Sequence, residues 1–314
     1  MLVNAIKISS IDKLMTTHKT TIGTTCSIIA SALFAVLYYY YQFLPEVPGN
    51  EIYVWRIVFS SVFISALFIL PSVRRDFVTL TKKMRQNVRL LLTIIATSQL
   101  LALQLWLFMW APVNGFAMDV SVGYFLLPLT LAVTGKIVFG EVFGKFKLLS
   151  FLVACGGFGF QLMNGQMLSW PTLTVCLGYP IYYVIRRKSG SDNVAGFIMD
   201  IYLNLPMALF ILLSVAPILS APQINTVFVL AGLGIISTLA LLLMIVASQK
   251  LDLIVFGLMN YIEPVLLVAV AILVGQFPSR EHTGIYVCVA LSVLILIVEG
   301  MINLIKNREA SHAM

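Results

Sequence analysis

Apolar stretches of bilayer length fill the sequence from about residue 22 to residue 304. A spanning helix needs about 20 apolar residues, and the chain has room for roughly ten such segments. They fall near 22–44, 52–72, 88–110, 119–141, 148–164, 169–185, 194–218, 226–248, 254–275 and 282–304. The runs are continuous and do not alternate, which is not the pattern of a β-barrel. The expected fold class is an all-α membrane protein with ten transmembrane helices.

The charges fix an expected orientation. Lys7, Lys13 and Lys19 precede the first span, and Arg74, Arg75, Lys82, Lys83 and Arg85 follow the second. Lys145 and Lys147, Arg186 to Lys188, Lys250, Lys306 and Arg308 follow later spans. Threading the chain with its N-terminus inside puts nearly all of them on the cytoplasmic side; only Arg56 and Arg280 fall near the outer face. The net charge of +7 therefore reflects the positive-inside bias and gives no nucleic-acid signal. Both termini are expected in the cytoplasm, as tails 1–21 and 306–314. Five spans in each half, 22–164 and 165–305, start the second half on the opposite side from the first. That is an inverted repeat, a common transporter plan.

Two segments break the rules for a greasy helix. In 119–141, Asp119, Gly123, Leu126, Thr130 and Thr134 share one face at helical spacing, and Gly123 and Pro128 are expected to break the helix. A partial echo runs from Gly257 through Asn260, Glu263 and Pro264 to Gly275 and Gln276. Gly178 and Pro180 are expected to break the sixth span.

Ionisable groups at a helix centre cost about 2.5–3.5 kcal/mol each on insertion scales, so a chain keeps them paired or facing a cavity. Glu263 is the deepest, and a carboxylate there can contact substrate or carry a coupling proton, or can be a structural carboxyl. Asp119 sits near the outer end of its span and can serve as a substrate or coupling carboxylate, or as a helix-start carboxylate favoured by the dipole. Arg56 is read as a structural ion pair with Glu51, a snorkelling side chain, or a contact for an acidic substrate. Asp200 carries the same ambivalence. Gln104, Tyr124, Tyr179 and Asn260 are the uncharged polar candidates for lining a pocket.

Catalytic motifs are absent. His18, His282 and His312 do not converge, and there is no HExxH, Walker A or GxSxG pattern. Cys26, Cys155, Cys176 and Cys288 fall in predicted spans with no CxxC pair and read as packing residues. No enzyme activity, metal or cofactor is expected.

The same residues carry a family resemblance. Val47 to Ile52 leading to Arg56, Leu107 to Ala111, Ser121 to Phe125 with Pro128, Gly140-Glu141, Arg186 to Lys188 and Leu258 to Pro264 resemble the EamA-type transporters of the drug/metabolite transporter superfamily, RarD group. The similarity covers about residues 25–305. It implies two inverted five-helix EamA repeats around a central cavity lined by spans one, three, four, six, eight and nine. It also implies secondary transport of small organic metabolites or drugs by alternating access across a bacterial inner membrane. RarD proteins are commonly called chloramphenicol-sensitivity permeases.

The chain departs from the family at Phe34-Ala35, where a Trp-Gly pair is usual, at Gln42 in place of a lysine, at Gly275-Gln276 in place of Gly-Glu, and at Glu263 in place of a small residue. The partners implied are a small organic solute and the lipid bilayer, and the plan is compatible with a homodimer. Proton coupling through Glu263 is the first expectation. An uncoupled facilitator and a non-transport membrane partner or lipid-handling protein are the alternatives.

Overall fold

A computed structural model describes residues 2–40, 43, 47–163, 169–215, 224–273 and 283–312. Gln42, Gly275, Gln276, Arg280 and His282 lie outside the described residues. Those described are helical almost throughout, with no strand among them. The helices are α1 (Leu2–Tyr40), α2 (Gly49–Ser65), α3 (Pro71–Gln86), α4 (Val88–Val113), α5 (Ala117–Phe139) and α6 (Lys145–Met163). They continue as α7 (Trp170–Lys188), α8 (Val194–Val215), α9 (Ile224–Lys250), α10 (Leu253–Met259), α11 (Ile262–Leu273) and α12 (Thr283–His312). Among the described residues, seven helical stretches are long and apolar enough to cross a membrane, in α1, α2 with the 3-10 turn after it, α4, α5, α8, α9 and α12. In hydrocarbon every backbone polar group must be satisfied within the segment, which is why apolar sequence of this length folds as helix.

The basic stretch after the second span, expected to be a loop, is helix α3. Val73, Phe77, Leu80 and Met84 recur at helical spacing and form its apolar face. That face packs with Ile94 of α4 and with Ala195, Met199 and Leu203 of α8. Arg74, Arg75, Lys82, Lys83 and Arg85 are exposed. The helix is too charged to span and lies against the end of the bundle.

Packing between helices follows a paired pattern. α5 packs on α7, and α11 on α1; α1 packs on α9, and α7 on α4; α2 packs on α9, and α8 on α4. α6 with α12, α5 with α10 and α2 with α8 complete the set. Small residues make the closest approaches. A Cβ on Gly123 would stand 2.9 Å from the Thr172 carbonyl oxygen, so α5 and α7 approach backbone to backbone there. A Cβ on Gly257 would stand 3.0 Å from the Pro128 carbonyl oxygen, which sets α10 equally close on α5. This is the small-residue packing of membrane bundles.

The expected helix breaks resolve differently from one another. α5 runs unbroken through Gly123 and Pro128, and α7 through Pro180. Pro180 has no N–H to offer the Cys176 carbonyl one turn earlier. Thr130 Oγ1 of α5 donates to that carbonyl at 2.6 Å, so the helix continues and the freed group ties two helices together. The break comes in the later segment, between α10 and α11 at Asn260-Tyr261. Pro264 cannot bond the Asn260 carbonyl and crowds it. The Asn260 and Tyr261 N–H groups turn back to the Gly257 and Leu258 carbonyls at 3.0 and 3.2 Å, a tight i→i−3 closure. Gly257 sits inside α10, and Pro264 lies in the first turn of α11, where proline is tolerated.

α5 ends at Gly140, whose φ of 68° is left-handed and suits glycine. The Glu141 N–H then closes onto the Gly135 carbonyl at 3.1 Å, a Schellman-type stop. The Gly140-Glu141 pair is thus a helix terminator that aims the Glu141 side chain back across the bundle.

Candidate functional site

Arg56 sits at the centre of the polar interior. It is 1% exposed, so the readings of an outer-face snorkel or a Glu51 ion pair do not describe it. No ion pair involves it among the described residues, and its Nε donates to Ser237 Oγ of α9. Its guanidinium lies 5.8 Å from the centre of the Phe108 ring of α4. Its Nη1 is buried with no hydrogen-bond partner. Close helix contact makes the arrangement possible, because Gly234 of α9 abuts Phe59 of α2 and Ser60 reaches the Gly234 carbonyl.

Three tyrosines share the field of this cation: Tyr53 of α2, Tyr124 of α5 and Tyr179 of α7. The Tyr124 and Tyr179 rings lie 6.3 Å apart and their hydroxyls interact. The Glu263 carboxylate, in the first turn of α11, also acts on both phenols. Glu263 makes no ion pair with Arg56. A cation and a carboxylate, each without a counter-ion among the described residues, thus flank one tyrosine pair. Asn260, at the helix break one turn before Glu263, is 6% exposed and its Nδ2 is unpartnered.

Gln104 of α4 donates from Nε2 to the Thr174 carbonyl at 2.8 Å, and its Oε1 is buried and unpartnered. Gly178 of α7 leaves the room, because a Cβ there would fall 2.0 Å from Gln104 Nε2. Gly178→Ala is expected to displace Gln104 and cost about 1–3 kcal/mol as an overpacked site. Chemical unfolding in detergent measures this, and Gln104→Ala in the same chain should recover part of the loss. An additive double variant would show that the two residues do not compete for space.

Asp119 is not brought into this cluster. It is half-buried, its backbone carbonyl accepts from Thr172 Oγ1 at 2.7 Å, and no contact links its carboxylate to Arg56, Tyr124 or Tyr179. Gly123, Pro128, Pro180 and Gly257 shape the surrounding helices and bring no polar side chain to the site.

Two further charge clusters lie toward the ends of α5, α7 and α9. Arg186 and Asp200 form an ion pair at 3.1 Å with both side chains fully buried. Tyr182 donates to Asp200 Oδ2 at 2.8 Å, and Gly196 makes space for the guanidinium. The second cluster is centred on Arg187. It meets Glu141 at 3.4 Å and Asp192 at 3.8 Å, and donates to the Ser248 and Leu251 carbonyls at 2.6 and 2.9 Å. Glu141 in turn accepts the Leu253 and Ile254 N–H groups at 2.7 Å each, capping the start of α10. Arg186 and Arg187, which the sequence places in a basic loop end, are structural. Ser237 and Tyr53 join the central cluster without a prior signal beyond their spans, and Phe108 joins it from the Leu107–Ala111 stretch.

No protein-family model matches the chain. An uncharacterised transporter of Pasteurella multocida is 32% identical over 283 residues, covering 90% of this chain and 97% of that protein. The chloramphenicol-sensitive protein RarD of Pseudomonas aeruginosa is 32% identical over 281 residues, covering 87% of this chain and 92% of its own length. Protein RarD of Escherichia coli is 27% identical over 275 residues, covering 85% and 89%. A crystal structure at 15% identity superposes with a TM-score of 0.65 over 87% of this chain and 96% of that one, a likeness of fold. A multi-pass helical bundle with these relatives is a membrane transporter. Within that class, the chain belongs to the RarD group.

Proposed function

We propose that the protein is a secondary transporter moving a small organic solute across a bacterial inner membrane by alternating access. In this reading it has ten spans, with α10 and α11 together forming one, arranged as two inverted EamA repeats over 22–164 and 165–305, and both termini are cytoplasmic. The paired packing supports the repeats. Exchanging α1 with α7, α2 with α8, α4 with α9, α5 with α10–α11 and α6 with α12 maps each of the contacts named above onto another or onto itself. A pseudo-two-fold relation of that kind underlies many transporters.

The observation that carries the function is the centre of the bundle. Among the described residues Arg56 and Glu263 lack counter-ions there, and they face one pair of tyrosines beside a broken helix. Intramembrane charge kept without a partner is costly and favours a functional reading. Glu263 is assigned the coupling proton, and the α10–α11 break gives its segment a joint for movement.

The test is counterflow in proteoliposomes loaded with candidate solutes, chloramphenicol among them. Exchange of a labelled solute above empty liposomes is the expected result. No exchange of any small organic solute would remove transport as the function.

A further inference from the structure

We infer that the transported solute is an organic monocarboxylate with a flat or apolar body, held by its carboxylate on Arg56 beside Tyr124 and Tyr179. The inference rests on the transporter reading and narrows it.

The chain supplies its own comparison. Three arginines among the described residues are buried or half-buried: Arg56, Arg186 and Arg187. Arg186 has Asp200 at 3.1 Å, and Arg187 has Glu141 at 3.4 Å and Asp192 at 3.8 Å. Arg56, as buried as Arg186, has no carboxylate among the described residues, only the Ser237 hydroxyl. Its Nη1 hydrogens point to nothing. A guanidinium stays protonated, so this positive charge persists and asks for an anion. Its planar fork matches a carboxylate in a bidentate pair.

The surroundings set the rest of the ligand. Phe108 lies beneath the guanidinium at 5.8 Å, Tyr124 meets Phe108 edge-on with ring centres 5.8 Å apart, and Tyr179 lies 6.3 Å from Tyr124. Those faces suit a ring or a compact apolar body. No second basic side chain joins the cluster among the described residues, so a dianionic phosphate would be under-compensated.

Binding to purified protein in nanodiscs tests this, with benzoate, 3-phenylpropanoate and indole-3-acetate each set against its own amide, and with phenyl phosphate and chloramphenicol alongside. A carboxylate is expected to bind and its amide to bind at least tenfold more weakly. Arg56→Gln is expected to weaken the carboxylate by about 30-fold or more, the scale of removing one partner of a buried charge pair. Arg56→Lys should recover part of it, because a point charge lacks the fork. If Arg56→Gln fails to fold, Ser237→Ala decides: it keeps the charge, frees the guanidinium, and should weaken carboxylates severalfold while leaving amides unchanged.

Amides or chloramphenicol binding as tightly as carboxylates, phenyl phosphate binding tighter, or no carboxylate binding would each overturn the inference. With counterflow of some neutral solute intact, the transporter reading would survive that result. Absence of both binding and counterflow for every solute would remove the transporter reading itself.

Discussion

Replacing Asp200 with alanine is expected to destabilise the protein by about 3–5 kcal/mol, the cost of leaving one partner of a buried ion pair alone. Arg186 would remain fully buried with only a long bond to Ser191 at 3.4 Å, and Tyr182 would lose its acceptor. Residue 200 also touches α4, where its backbone carbonyl accepts from Ser98 Oγ, which also bonds Asn204, so a shift of α8 around the vacated pair would strain this contact. The single change should therefore loosen the α4–α8 contact as well as the α7–α8 contact. Removing both charges in an Arg186→Leu, Asp200→Leu chain is expected to restore most of the stability, since apolar replacement of a whole buried pair is often neutral. Denaturant titration in detergent reads both variants. A double variant as unstable as the single would show that the pair specifies the packing and does not merely neutralise itself.

The second large effect is at Glu141. Glu141→Ala removes two charge-assisted bonds to the first N–H groups of α10, each a short 2.7 Å contact, together with the Arg187 pair. Charged hydrogen bonds contribute about 1.5–3 kcal/mol each, so a net loss of about 2–4 kcal/mol is expected. Glu141→Gln keeps one acceptor oxygen and should lose roughly half of that. The consequence for function is specific. α10 leads through the Asn260-Tyr261 break into Glu263, so an uncapped α10 misplaces that carboxylate. Hydrogen exchange should show faster opening of Leu253 to Met259 in Glu141→Ala, with α6 and α12 unchanged. Uniform loosening of the whole bundle would count against the capping role.

Much of this architecture was legible from hydropathy alone. The runs over 88–110, 119–141 and 194–218 correspond to α4, α5 and α8 within a few residues, because apolar sequence of that length has one low-energy form in lipid. Helix α3 was harder to see. Its charges read as a loop, although Val73, Phe77, Leu80 and Met84 carry the helical period. The Gly140-Glu141 stop could be read as a stop, but the target of Glu141 lies more than a hundred residues downstream and no local pattern announces it.

The site divides in the same way. Glu263 and Arg56 stood out because charge inside a span always does. That Arg56 has no counter-ion among the described residues depends on what α4, α7 and α9 place around it, which no single segment encodes. Arg186 opens a basic run that the sequence assigns to the cytoplasmic side; Asp200 and the space left by Gly196 on another helix bury it. Pro128 and Pro180 read as breaks because local sequence cannot show that α5 and α7 run on through them, or that a threonine on one takes up a carbonyl freed on the other.

In the proposed cycle a solute crosses at the Arg56–Glu263 cluster and Glu263 carries the coupled proton. Gradient-driven flux in proteoliposomes, with the solute that gives a counterflow signal, tests it most directly. An imposed pH gradient should accelerate flux through the wild-type protein. In Glu263→Gln, counterflow should persist while the gradient loses its effect. Equal gradient-driven acceleration in the wild type and in Glu263→Gln would contradict the claim.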